Sequence, residues 1–248
     1  MVNLSSADHA ARQRPQVAMW SDSPRPLKLK LLSWLPNTWI LTTADRSRHS
    51  LYLTFDDGPD PDHTPRLLDL LSAHDAKATF FVIGRQAQAY PEVLRRIVAE
   101  GHRLGNHSWA HENFAGISIA SQRDEIECTD RVLAQVDGES LYSFRPPRGL
   151  LSLRLIMDCR HQRRQIAYWS YDTRDYSRRS IPELVALVRK HPVRPGDIVL
   201  LHDDSEHSFG LLEVMLPQWK NEGYVFHTLP SSNVVPEPVL AVESGAVL

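Results

Sequence analysis

From residue 50 onward, short runs of β-branched and aromatic residues alternate with longer runs in which apolar residues recur every three or four positions. That alternation predicts parallel strands joined by crossover helices. The strand-like runs are Leu51 to Phe55, Ala78 to Ile83, His102 to Asn106, Ser143 to Arg145, Gln165 to Tyr171, Asp197 to Leu201 and Tyr224 to Thr228. Between the first two, Thr64 before Pro65 predicts an N-cap and first helical residue, with Leu67, Leu68 and Leu71 on the apolar face. Val93, Leu94, Ile97 and Val98 form the next stripe, stopped at Gly101, and Ser180 with Glu183 predicts a capping box ahead of Leu184, Leu187 and Val188.

No internal repeat interrupts this order, and 248 residues with 42% hydrophobic content suit a single core. The organisation predicted is one α/β domain over 50–230, an N-terminal extension over 1–49 that is partly mobile and partly packed on the domain, and a mobile tail over 231–248. The lipophilic stretch Leu27 to Leu41 is broken by Lys28, Lys30, Pro36 and Asn37. It is too short to span roughly 30 Å of hydrocarbon, but it can pack on the domain or lie on a membrane surface. The polar, proline-punctuated start has no pattern of a secretory leader, so the expected location is cytoplasmic or peripheral at the inner membrane face.

Charge narrows the partners only a little. With 28 basic and 30 acidic residues the net charge is -2, which gives no drive toward nucleic acid. The two cysteines, Cys128 and Cys159, fall in helical segments without framework spacing and are expected to be free thiols. Twelve histidines favour metal or proton-transfer chemistry, and their spacing has to decide.

In barrels of parallel strands, function gathers where strands end, and here those ends are polar. The first strand runs into Asp56-Asp57-Gly58-Pro59, two carboxylates with a turn behind them, which on its own is also just an acidic turn. The third runs into His107-Ser108-Trp109-Ala110-His111, whose imidazoles can meet on one metal if the turn is helical. Joined to a carboxylate at a neighbouring strand end, that pair makes a ligand set that leaves coordination positions open for water and substrate. Further strand ends carry Arg145-Pro146-Pro147-Arg148-Gly149, Asp172-Thr173-Arg174-Asp175-Tyr176 and Leu200-Leu201-His202-Asp203. Taken singly, these read as a rigid turn, a salt-bridged loop and a strand meeting solvent.

Together, Thr54 to Pro59, His107 to His111, the Arg145-Pro-Pro segment, Asp172-x-x-Asp175 and Leu200-x-His202 resemble the ordered motifs of NodB-type polysaccharide deacetylases, carbohydrate esterase family four. The likeness runs from Ser50 to Pro230. It implies a single distorted (β/α) barrel of about seven parallel strands and hydrolysis of the N-acetyl group of an amino sugar. It further implies that Asp57, His107 and His111 bind a divalent ion, Zn²⁺ or one such as Co²⁺. Asp56 would be the base, oriented by Arg145, and His202 the acid, held by Asp175. The backbone N–H of Arg148 would stabilise the oxyanion, and Leu200 and Tyr176 would cup the acetyl methyl. Arg148 stands where the family usually has Tyr, and Tyr176 where it usually has Trp, which touches substrate preference more than activity. Two other readings keep the fold: hydrolysis of another amide, such as a lipid-linked sugar amide or cyclic imide, and a carbohydrate-binding module with a vestigial site.

Overall fold

Side chains in the first long strand alternate between two buried environments rather than between core and water, as expected for a strand covered on both faces. A computed structural model describes residues 23–231 of the chain. Leu51, Leu53 and Phe55 point out to the helices, whereas Tyr52 points inward. The elements in chain order are α1 (Leu29–Leu32), β1 (Ile40–Leu41), β2 (Ser50–Asp56), α2 (His63–Ala73), β3 (Ala78–Val82), α3 (Gly84–Ala89), α4 (Pro91–Ala99), β4 (Arg103–Asn106), α5 (Ile119–Asp137), α6 (Leu153–His161), β5 (Ile166–Ala167), β6 (Tyr171–Asp172), α7 (Ile181–Lys190), β7 (Ile198–His202), α8 (Glu206–Asn221) and β8 (Val225–Phe226).

Every strand pair among the described residues is parallel. The central path runs β4-β3-β2-β7-β6, and β8 pairs with the start of β2. Single bridges from Asn106 to Phe144 and from Phe144 to Ile166 carry the ring on to β5, and the chain then passes directly into β6. The result is a distorted barrel. One apolar cluster lies between the sheet and its helices and includes Phe80, Leu201, Met215 and Trp219. A second fills the interior with Phe81, Phe144, Ile166, Ile198 and Leu200. Among the described residues no helix is long and apolar enough to cross a membrane.

Several elements differ from the sequence pattern. The run Ser143 to Arg145 keeps only the Phe144 bridges, because Arg145 is drawn into the interior by polar partners. Gln165 to Tyr171 divides into β5 and β6. The carbonyls of Ala167 and Tyr168, at the break, accept from the Arg145 guanidinium at 3.2 and 3.4 Å. The strand β1 lies in the supposed extension, with Ile40 opposite Ile166 and Leu41 opposite Ala167. Ala44 N–H then donates to the Gly196 carbonyl at 3.0 Å, so this segment fills the gap between β5 and β7. Residues 1–22 of the expected extension and 232–248, all but the first residue of the expected tail, lie outside the described residues.

The helix α2 begins at His63, with Asp62 at the cap position, so Thr64 is inside the helix. The Asp60 carboxylate instead accepts from the Asp62 and His63 N–H groups, at 2.9 Å each. The capping box of α7 is present, with Glu183 accepting from the Ser180 N–H at 2.8 Å and its hydroxyl at 2.7 Å. Ser180→Ala is expected to lower stability by about 1 kcal/mol, read from the midpoint of chemical unfolding; an unchanged midpoint would mean the box contributes nothing here.

Candidate active site

The inward face of β2 ends in Thr54 and Asp56, and that of β7 in Leu200 and His202, by the same alternation that sends Phe55 and Leu201 outward. Register pairs Asp56 directly with His202. Two ionisable groups from distant parts of the chain thus meet at the C-terminal rim. Strict alternation would turn Asp57 away, but its backbone is left-handed at φ 78°, and this brings the carboxylate back over the rim. The following Gly58 passes so close to Asp203 that a Cβ there would fall 2.1 Å from its Oδ2, so any side chain would have to displace that carboxylate.

The His107 to His111 turn is not helical, contrary to the condition placed on it from sequence. Ser108 and His111 are left-handed at φ 68° and 57°, and short-range polar contacts hold the loop instead. The Asn106 side-chain oxygen accepts from the Ser108 N–H at 2.8 Å, and the Ser108 hydroxyl from the His111 N–H at 3.0 Å. Glu125, on α5, accepts the Ala110 N–H at 2.8 Å. The loop closes the two imidazoles to 5.1 Å between ring centroids.

Asp57, His107 and His111 place one ligand atom each within 4.8 Å of one another. Asp57 Oδ1 lies 3.5 Å from His107 Nε2 and 3.3 Å from His111 Nε2. His107 Nδ1 is 2.7 Å from the Arg145 carbonyl, an acceptor only, so Nδ1 carries the proton and the Nε2 lone pair faces the centre. Two imidazoles, that of His107 with its tautomer fixed, and one carboxylate fit a divalent ion that keeps open positions.

Arg145 is fully buried and donates from Nη1 to Asp56 Oδ1 at 2.7 Å and to the Thr54 hydroxyl at 2.8 Å. Its guanidinium also lies over the Phe81 ring, 4.1 Å from the centroid. Burial holds this guanidinium below its ordinary value, against the pull of Asp56. With Oδ1 of Asp56 engaged, Oδ2 faces the ligand set, 3.8 Å from His107 Nε2.

On the other side, His202 Nδ1 pairs with Asp175 Oδ1 at 2.9 Å, which leaves Nε2 on the opposite edge of the ring from that carboxylate. Asp175 Oδ2 accepts from the His202 N–H at 2.7 Å and from the Ser208 hydroxyl. Burial acts to raise the Asp175 carboxyl, but the His202 imidazole and these donors outweigh it and hold it below the usual carboxylate range. Tyr176 packs edge-on to the His202 ring, 5.3 Å between centroids, and donates to Asp172 at 3.0 Å. Burial pushes Asp172 up to about 6, against the Arg174 N–H and the Tyr176 hydroxyl that stabilise its charge.

All ten residues singled out from sequence lie on the rim or on the interior wall below it. Leu200 is buried two positions below His202, Tyr176 is part-exposed beside it, and Arg148 is exposed with a left-handed backbone at φ 58°. The sequence reading gave no individual role to Thr54 or Ser208, hydroxyls that complete the polar environments of Arg145 and Asp175. It also passed over Asp203, which accepts from the Thr64 hydroxyl at 2.6 Å while Thr64 accepts from the Asp60 N–H at 2.8 Å. Burial pushes Asp203 up to about 8, against the Thr64 hydroxyl and reinforced by Asp204, Asp57 and Asp60. Its place directly after His202 was the one available signal.

A family profile described as polysaccharide deacetylase matches residues 43–162. A peptidoglycan-N-acetylglucosamine deacetylase of Bacillus cereus is 34% identical over 208 residues, covering 80% of this chain and 75% of its own. A chitooligosaccharide deacetylase of a Bradyrhizobium species is 34% identical over 196 residues, covering 73% of this chain and 89% of its own. Among solved structures, the Bc1960 peptidoglycan N-acetylglucosamine deacetylase superposes with a TM-score of 0.75 at 33% identity, over 80% of this chain and 94% of that one. With this identity and coverage, and with motifs from five strand ends meeting at one rim, the chain belongs to the polysaccharide deacetylase family, the NodB-type enzymes of carbohydrate esterase family four.

Proposed function

We propose that this protein hydrolyses the N-acetyl amide of N-acetylglucosamine units in a polysaccharide or oligosaccharide. Asp57, His107 and His111 would hold a divalent ion, Zn²⁺ before Co²⁺. The observation that carries the reading is the register pairing of Asp56 with His202, each fixed by its own buried partner, on either side of a three-ligand set. The relatives support the substrate class, since they act on peptidoglycan N-acetylglucosamine and on chitooligosaccharide.

When bound, the ion supplies a Lewis acid that acidifies a water and polarises the acetyl carbonyl. Asp56 Oδ2 accepts the proton of the attacking water, while Arg145 keeps Oδ1 engaged and the carboxylate oriented. Attack at the carbonyl carbon gives a tetrahedral oxyanion, for which the Arg148 N–H is the backbone donor, an interaction worth roughly 3 kcal/mol of barrier in such sites. His202 Nε2 then donates its proton to the departing nitrogen as the C–N bond breaks, and Asp175 stabilises the imidazolium that makes the donation possible. Acetate and a free amino sugar result. Leu200 and the Tyr176 ring form the apolar wall for the acetyl methyl.

The test is mass spectrometry across a panel of N-acetylated oligosaccharides, scoring loss of one acetyl group per event. Stripping the metal is expected to abolish the loss, and Zn²⁺ or Co²⁺ to restore it. His107→Ala should lose bound metal as well as rate. Full turnover by a verified metal-free preparation would overturn the ligand assignment. Failure on every sugar with metal bound would overturn the substrate class.

A further inference from the structure

Three of the most exposed large apolar side chains lie within eight residues of each other. Leu27, Leu31 and Trp34 are 74%, 76% and 88% exposed, at spacings of four and three that place them on one side of the turn around α1. The opposite side is already used, since Leu32, Leu35 and Trp39 pack on the interior cluster. The segment thus carries apolar side chains on two sides, one set packed on the barrel and the other facing solvent. Isolated exposed leucines need no explanation, but a contiguous group led by an 88% exposed tryptophan does.

Its position in the barrel is fixed at both ends. Arg25 forms a double hydrogen bond, at 3.0 and 2.9 Å, with Asp197, the residue before β7. The Asn37 carbonyl accepts from Gln165, just before β5, at 2.7 Å. The segment therefore leaves the side of β6, where the Pro24 carbonyl accepts from the Asp172 N–H at 2.8 Å, and runs to the N-terminal ends of β5 and β7, the end opposite the catalytic rim. Its surroundings are cationic: Lys28 and Lys30 lie within it, and Arg46, whose Cγ sits against Gly196, and Arg48 follow, with Asp45 the acid among them.

We propose that Leu27, Leu31 and Trp34, flanked by Lys28 and Lys30, form a docking surface for an anionic lipid bilayer. Apolar side chains enter the headgroup boundary, tryptophan takes its usual interfacial place, and the lysines meet anionic headgroups. The charge pattern selects lipid over a second copy of the chain, because a self-dimer through this face would bring like charges together. Docking this way points the catalytic rim away from the bilayer. The seven residues of β2 span about 23 Å, so the rim stands roughly that far above the surface. If the deacetylase reading holds, a sugar attached directly to a lipid headgroup stays below the rim, while a glycan standing off the membrane reaches it.

The experiment is co-sedimentation of the full chain with vesicles of phosphatidylcholine alone and of phosphatidylcholine mixed with phosphatidylglycerol. Binding to the anionic vesicles is expected, with a blue shift of tryptophan emission that Trp34→Ser removes. The double variant Leu31→Ser, Trp34→Ser should weaken binding about tenfold or more, and Lys28→Glu with Lys30→Glu should abolish the preference for anionic lipid. Release of acetate from a soluble oligosaccharide should be the same for these variants as for wild type, which separates this proposal from the catalytic one. Failure to bind anionic vesicles overturns it. So does binding that the substitutions leave unchanged, which would place the contact elsewhere, and so does a concentration-dependent dimer that the double variant dissolves.

Discussion

Asp56→Asn is expected to cut turnover by about 10²- to 10⁴-fold while leaving metal affinity close to wild type. The division of labour between adjacent acids follows from their surroundings. Asp57 Oδ1 stands 3.5 and 3.3 Å from the two imidazole nitrogens that complete the ligand set. Asp56 spends one oxygen on Arg145 and keeps the other 3.8 Å from His107 Nε2, beside the set rather than within it. Asparagine fits the same space and can turn its oxygen to Arg145, but it then presents an amide N–H₂ to the water and has no basic oxygen to offer. The measurements are kcat by acetate release and metal affinity by calorimetry on the same preparations. If metal affinity falls in proportion to rate, Asp56 is a ligand and the assignment of the pair is wrong. Asp57→Asn supplies the contrast, and its loss of rate should be recovered in part by excess metal.

The local pattern of the sequence reached a good deal of this arrangement. Period-two facing in β2 and β7 is written in Leu51, Leu53, Phe55 and in Val199, Leu201, and once both faces are known to be covered, Asp56 and His202 must point inward. What remained hidden depends on tertiary geometry. Two-residue β1 has no periodicity of its own and exists because Ile166 and Ala167 offer it an edge. The break between β5 and β6 comes from a guanidinium some twenty positions earlier in the chain that takes two carbonyls at that bend. The histidine pair was legible as a pair, yet its closure depends on left-handed backbone at Ser108 and His111, which neither residue advertises. Ser208 is an ordinary serine in an amphipathic helix until Asp175 is brought against it. Hydrophobic periodicity encodes which way a strand residue faces; it carries no record of which distant polar group will meet it.

His202→Ala is expected to lower kcat by about 10²-fold or more with little change in KM, because an acid that protonates the leaving nitrogen acts only in the transition state. Sugar contacts and the metal carry ground-state binding, so a binding module with a vestigial site would show the reverse, altered affinity with no acetate to lose. The partner residue gives a sharper test. Asp175 is buried, yet the His202 imidazole, the Ser208 hydroxyl and the His202 N–H hold its carboxyl below the usual range. A depressed folded value means the charge adds stability above the unfolded carboxylate value, and that stability is lost only as pH falls through the folded one. Asp175 is therefore ionised throughout the neutral range. The interaction is mutual: the carboxylate that the imidazole stabilises in turn favours the protonated imidazole. Asp175→Asn keeps an acceptor near His202 Nδ1 but removes the charge, so proton loss from His202 becomes easier. The alkaline limb of the kcat profile should move to lower pH by roughly one unit, while the acidic limb, set by the base, stays in place. Chemical unfolding at neutral pH and at pH 3 shows whether the variant is folded, and its stability deficit should shrink at the lower pH. An alkaline limb that stays where it is in a folded variant would mean that Asp175 positions His202 without tuning its proton.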